Sequence, residues 1–267
     1  MLGRAALTAV ITAIAVPAAA AQGRSTPSDT LLAGVTARGR LLAAYDQAAW
    51  HATDAVLALV PESTLARVAN TMVALQQADR RWTVLFGQLT ASRDSLLLRY
   101  EARPTARPDS FTVVAHTPAM PLLGNERRAA VALHMAMADV ETPQRPYNAY
   151  VLPRADSLFW VYFLPAQVDH REFPHGADVR YVVDPAADSI IDEHPMHRTL
   201  LNLALPDSAV AGLHTVLVDN VPQDSDVFLV LVRRPRRPEL IATENYDYEI
   251  AVDGTITWRV ADRRAPR

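Results

Sequence analysis

The chain has no cysteine and no lysine. Without cysteine there is no disulfide to brace the fold, no thiol nucleophile, no thiolate metal site and no thioether lipid anchor. Without lysine, Schiff-base chemistry, a P-loop lysine and a Ser-Lys dyad are excluded. All 26 basic residues are therefore arginine, a bias we read as GC-rich coding rather than function. None of the nine glycines falls into a GxGxxG or Walker loop, no serine sits in GxSxG, and neither HExxH nor an EF-hand loop occurs. Nucleotide-binding enzymes, typical α/β-hydrolases and zincins do not fit. A formal net charge of −3 argues against nucleic acid as a partner.

Long apolar runs are missing too, except at the start. Met1–Arg4 is a short basic lead, Ala5–Val16 is apolar, and Pro17–Ala21 ends in small residues, the pattern of a signal peptide cut after Ala21. The apolar stretch of about 12 residues is shorter than the ~20 of a spanning helix, so no transmembrane anchor is expected. The expectation is an exported protein, periplasmic or extracellular. Residues 1–21 are its signal, 22–28 a flexible lead-in, 29–262 a single α+β domain with a possible sub-boundary at 103–108, and 263–267 a disordered tail.

From Asp29 the apolar positions Leu31, Val35, Leu42, Tyr45, Ala49, Ala52, Val56 and Val60 recur at spacings of three and four. This predicts a long amphipathic helix, capped by Ser28 or Asp29 and stopped by Pro61. Gly34, Gly39 and Arg38 interrupt its first half, which is expected to be frayed or bent. Residues 63–78 suit helix and strand equally. Trp82–Leu89, Ser95–Glu101 and Phe111–His116 predict an antiparallel meander, and Asn125–Val140 a second helix.

Strand signals then dominate: Tyr147–Leu152, Leu158–Leu164 and Val179–Val183, followed by Ser189–Asp192, Arg198–Leu203, Gly212–Val218, Asp226–Val232, Leu240–Thr243, Tyr246–Ala251 and Thr255–Val260. Short strands with short turns imply antiparallel pairing. The fold class is α+β: a large, mostly antiparallel sheet with the N-terminal amphipathic helix and one internal helix packed on it.

Chemistry has few places to reside. Five of the eight histidines, His170, His175, His194, His197 and His214, crowd into one stretch rich in Asp and Glu, a composition suited to Zn, Mn or Fe or to acid–base work. His194, His197 and His214 are the candidate metal ligands; His175, Asp178 and His214 are the candidate catalytic groups. The plainer reading is loop histidines, with Gly176 marking a tight turn before the Val179 strand. No cofactor is predicted outright, and a divalent transition metal is the one class the cluster would hold. Trp160 and Tyr162 share one face of a strand that is apolar on both sides, and could line a ligand cavity. Arg233, Arg234, Arg236 and Arg237 form a run whose guanidinium groups suit phosphate or carboxylate, or else simply a solvated hairpin end. The sequence thus predicts an exported envelope or periplasmic binding module, for a small apolar ligand or an acidic envelope component. The alternative is a metal-dependent or acid–base hydrolase built on the His170–His214 cluster.

Overall fold

The structure, a computed structural model, describes residues 26–262 except 108, 142–144, 170, 171, 187, 204, 205, 207 and 217. Residues 1–21, expected as a signal peptide, most of the expected lead-in, residues 263–267 and His170 lie outside the described residues.

Helix α1 (Asp29–Leu57) follows the amphipathic stripe. The Ser28 hydroxyl accepts the Leu31 N–H at 3.1 Å, a cap of about 1 kcal/mol. Its first half is continuous rather than frayed, and two of the three apparent interruptions, Arg38 and Gly39, meet a later helix, α4 (Asp224–Val232). Arg38 falls on the apolar stripe because its Nε donates to the buried Asp224 Oδ2 at 2.9 Å. Gly39 lets the two helices touch: a Cβ there would stand 2.8 Å from the Asp224 carbonyl oxygen and closer still to the Val227 side chain. Gly39→Ala is therefore expected to lower stability by about 1–3 kcal/mol, the usual cost of overpacking, although alanine is the better helix former. Urea denaturation would show it, and a gain in stability would mean that the α1–α4 contact is loose.

The ambiguous 63–78 segment is both things in turn, a short helix α2 (Glu62–Val68) and a strand β1 (Thr71–Gln76). It pairs with β2 (Trp82–Leu89), and β3 (Leu96–Pro104) and β4 (Phe111–Leu122) complete an antiparallel sheet in sequence order. Helix α3 (Asn125–Asp139) comes next. Strands β5 (Tyr147–Pro153), β6 (Phe159–Pro165), β8 (Val179–Asp184) and β9 (Ser189–Pro195) form a second antiparallel sheet in the order β5-β6-β8-β9. Two three-residue strands, β7 (Phe173–His175) and β10 (Leu201–Leu203), make a separate ribbon. The last sheet joins β11 (Gly212–Thr215), β12 (Glu239–Ala242), β13 (Tyr246–Ile250) and β14 (Ile256–Val260).

This is the expected α+β fold with mostly antiparallel pairing, but its strands are divided among three four-stranded sheets and the ribbon rather than gathered into one large sheet. One segment departs from expectation. Residues 226–232 read as a strand and form α4, because a short run of apolar residues has no period that separates a buried strand from a buried helix. That helix also makes β11 and β12 parallel, as a crossover connection requires.

Two cores share α1. Its second half, through Leu42, Tyr45, Ala52 and Val56, packs with the first two sheets and α3. Leu32, Val35 and Ala43 pack instead with α4 and the last sheet. Strand β6 is covered on both faces, as its double apolar pattern requires. Phe159, Val161 and Phe163 are buried on one side and Tyr162 on the other.

Candidate metal centre

Four side chains from four separate segments meet between the ribbon and α4: His175, His197, His214 and Asp226, with one ligand atom of each within 4.8 Å of all the others. His175 ends β7; Gly176 follows with φ +86°, in a space where any side chain would strike the Thr199 carbonyl. His197 lies just beyond β9, where the Met196 N–H donates to the Asp178 carbonyl at 2.9 Å. His214 is on β11. Asp226 sits in the first turn of α4, its Oδ2 accepting the Gln223 N–H at 2.6 Å and capping the helix.

The Asp226 Oδ1 is the common point. His175 Nε2 lies 2.9 Å from it, His214 Nε2 3.0 Å and His197 Nε2 3.2 Å. The last contact is off the hydrogen-bonding direction, so His197 Nε2 is a buried nitrogen with no hydrogen-bond partner. Four ligands at about 2.0–2.2 Å from one tetrahedral ion stand roughly 3.3–3.6 Å apart. The three contacts to Asp226 need open by only a few tenths of an ångström, while ligand atoms that stand up to 4.8 Å apart would have to draw together as an ion enters.

The far nitrogens are fixed by carboxylates. His197 Nδ1 is 2.9 Å from Asp178 Oδ1, and His214 Nδ1 is 2.8 Å from Glu239 Oε1. Each carboxylate takes a proton on Nδ1, so that Nε2, which faces Asp226, is the nitrogen that would give up its proton to a metal, the arrangement that orients imidazole toward an ion. Glu239 is in turn held by the buried Arg233, Nη1 to Oε2 2.6 Å, and Gly212 leaves room for its carboxylate. Three carboxylates face one guanidinium, so the group carries two unbalanced negative charges, which one divalent ion cancels. Two protons do the same in its place. Burial opposes charge on His197, but Asp226 and Asp178 outweigh it and push its pKa up to about 11; for His214, Asp226 and Glu239 outweigh burial and push it up to about 9. Burial would raise the Asp226 carboxyl, yet the surrounding imidazoles hold it well below its ordinary value.

Comparison with family models, curated proteins and solved structures finds no match. The chemistry of the site must therefore be read from its own residues.

Of the metal-ligand candidates, His197 and His214 are in the cluster, while His194 points elsewhere, its Nε2 3.2 Å from Asp219 Oδ2. Of the catalytic candidates, His175 and His214 supply ligand atoms and Asp178 braces His197. Tyr162 is buried with its hydroxyl donating to Asp224 Oδ2 at 2.9 Å. Trp160 carries the guanidinium groups of Arg38 and Arg154 over its ring, 5.5 and 5.1 Å from the ring centre. Of the arginine run only Arg233 is turned inward, to hold Glu239; Arg234 and Arg236 are exposed and donate to carbonyls closing α4, and the half-buried Arg237 donates from Nη1 to the Pro206 carbonyl at 3.2 Å. Sequence reasoning passed over Asp226 and Glu239. The signal for the first was the Gln-Asp-Ser-Asp start of a helix hidden by the strand-like run after it; nothing local marked Glu239.

Proposed function

We propose that this is an exported metal-binding protein in which one divalent transition ion, zinc foremost, is held by His175, His197, His214 and Asp226 as a structural tie. The observation that carries the reading is the convergence of three imidazole Nε2 atoms on one carboxylate oxygen, two of them braced from behind by carboxylates. Three nitrogens and one hard oxygen suit a borderline ion rather than calcium, magnesium or copper(I). Four protein ligands complete a tetrahedral shell, the mark of structural sites; catalytic ones keep a position open. The ligands are 4%, 9%, 6% and 0% exposed, which supports the closed reading over the hydrolase. Export is supported by the pattern of residues 1–21. In a cysteine-free exported chain, such an ion does what disulfides do elsewhere, joining β7, the segment after β9, β11 and α4.

The test is elemental analysis of the protein produced by export without a histidine tag. About one equivalent of transition metal per chain is expected, retained through dialysis. Glu239→Gln should keep the fold and bind the ion roughly 10–100-fold more weakly, as loss of an outer carboxylate does. A wild type that holds no metal and does not bind added zinc would sink the proposal.

A further inference from the structure

A half-open cleft of about 900 Å³ lies between α1, α3, the neighbouring edges of β1 and β5, the ribbon and α4. Its size is that of a small-molecule site. It reaches β5 and β6 at Tyr147–Tyr150 and Leu164–Pro165, and neither Trp160 nor Tyr162, the residues expected to line a cavity, is in its lining. The walls are aromatic, with Tyr45, Trp50, Tyr147, Tyr150, Phe173 and Phe228 all contributing. Trp50 stands at the rim, 57% exposed, stacked on His51 with ring centres 4.7 Å apart.

Within these walls sits one carboxylate that forms no ion pair among the described residues. Asp46 lies one helical turn before Trp50, so both project from the same face of α1. Its partners are neutral: the Tyr150 hydroxyl donates to Oδ1 at 2.8 Å, and the Gln47 side chain also bonds to it. Burial raises the Asp46 carboxyl above its ordinary value, the response of an anion that lacks a counter-ion. The other acid lining the cleft, Asp178, is engaged by His197. The lining arginine, Arg234, spends Nη1 on the carbonyls of Leu231, Val232 and Arg233.

We infer that the cleft is a binding site for an organic ammonium ion with an apolar body, with Asp46 as counter-ion and the Trp50 and tyrosine rings as its walls. A carboxylate supplies the charge, and ring faces attract the cation through their quadrupoles. An anionic ligand would meet Asp46 unscreened, and a purely apolar one would leave that carboxylate desolvated without return. The cleft borders the metal centre, since His175 and Asp178 are in its lining, but the ammonium site at Asp46 and Trp50 uses none of the centre's coordination.

The experiment is calorimetric titration of the full exported protein with benzyltrimethylammonium, with benzyl alcohol and benzenesulfonate as the neutral and anionic comparisons. Saturable one-to-one binding of the cation is expected, with benzenesulfonate not bound. Asp46→Asn, which keeps the side-chain shape, should weaken the cation by roughly tenfold or more while leaving benzyl alcohol unchanged. Trp50→Ala changes an exposed residue and should fold normally, weakening the cation several-fold. Absence of saturable cation binding by the wild type, or the same affinity in Asp46→Asn, would overturn the proposal.

Discussion

Asp226→Ala is expected to abolish stoichiometric metal binding and to lower the stability of the metal-free protein by about 3–5 kcal/mol, the cost of removing one member of a buried ionic group. In melting temperature that is roughly 6–20 °C at about 2–4 °C per kcal/mol for a domain of this size. The size of the effect follows from what this one side chain serves. Oδ1 lies within 3.2 Å of all three imidazole Nε2 atoms, and Oδ2 caps α4. Without it, His175, His197 and His214 face one another with nothing between them. In zinc-loaded protein the gap widens, since an ion at a thousandfold above its Kd adds about 4 kcal/mol to the wild type and nothing to the variant. Asp226→Asn separates the two roles: it can still cap the helix but carries no charge, so it should lose the metal as completely while falling less in stability. Calorimetry with and without zinc reads all three proteins. An Asp226→Ala protein that melts with the wild type and retains its metal would refute the centre.

The legible part of this molecule is the part in which local chemistry and tertiary role agree. The α1 stripe, the Ser28 cap, the meander from Trp82 and the hairpin strands at Tyr147 and Leu158 could be read because each buries one periodic face or two apolar ones. Arg38 and Gly39 looked like defects only because the helix they meet, α4, lies far along the chain, and α4 itself was hidden by an all-apolar run. The candidate site was legible in the same uneven way. Crowding of histidines marked the region and gave His175, His197 and His214, whereas His194, two residues from Met196 and on β9 itself, is turned toward Asp219. What joins the three chosen imidazoles is Asp226 in front and Glu239 behind, and neither could be found from spacing because the fold, not the sequence, makes them neighbours. Within the arginine run, Arg233 departs from its neighbours for the same reason, while Arg234 and Arg236 are exposed as a solvated hairpin end would have them. Arg233 reads as surface charge and is 0% exposed, since its partner Glu239 arrives with the next strand.

Alkaline pH should separate the metal-free protein from the metal-loaded one. His197, with its pKa up to about 11, and His214, up to about 9, both stand above the ordinary ~6.5 of an unfolded histidine. A folded-state pKa above the unfolded one means that the native state binds more protons, so stability falls as pH rises. The contribution of the pair is whole below pH ~6.5 and is lost progressively as pH climbs through about 9 and on toward about 11. Asp226 acts in the opposite sense: held well below its ordinary value, it contributes above about pH 4 and fails only in acid. Chelated protein should therefore be most stable between about pH 4 and 6.5 and should weaken steadily beyond. Metal reverses the alkaline limb, because the ion takes the place of the Nε2 protons and competes better as they become scarcer. Melting curves of chelated and zinc-loaded protein from pH 5 to 9 should diverge, with the separation growing at each step upward. A chelated protein whose melting temperature is flat from pH 6 to 9 would mean that the imidazoles are not held as ions by these carboxylates. The counter-charge that makes the cluster a cation site would then have to be sought elsewhere.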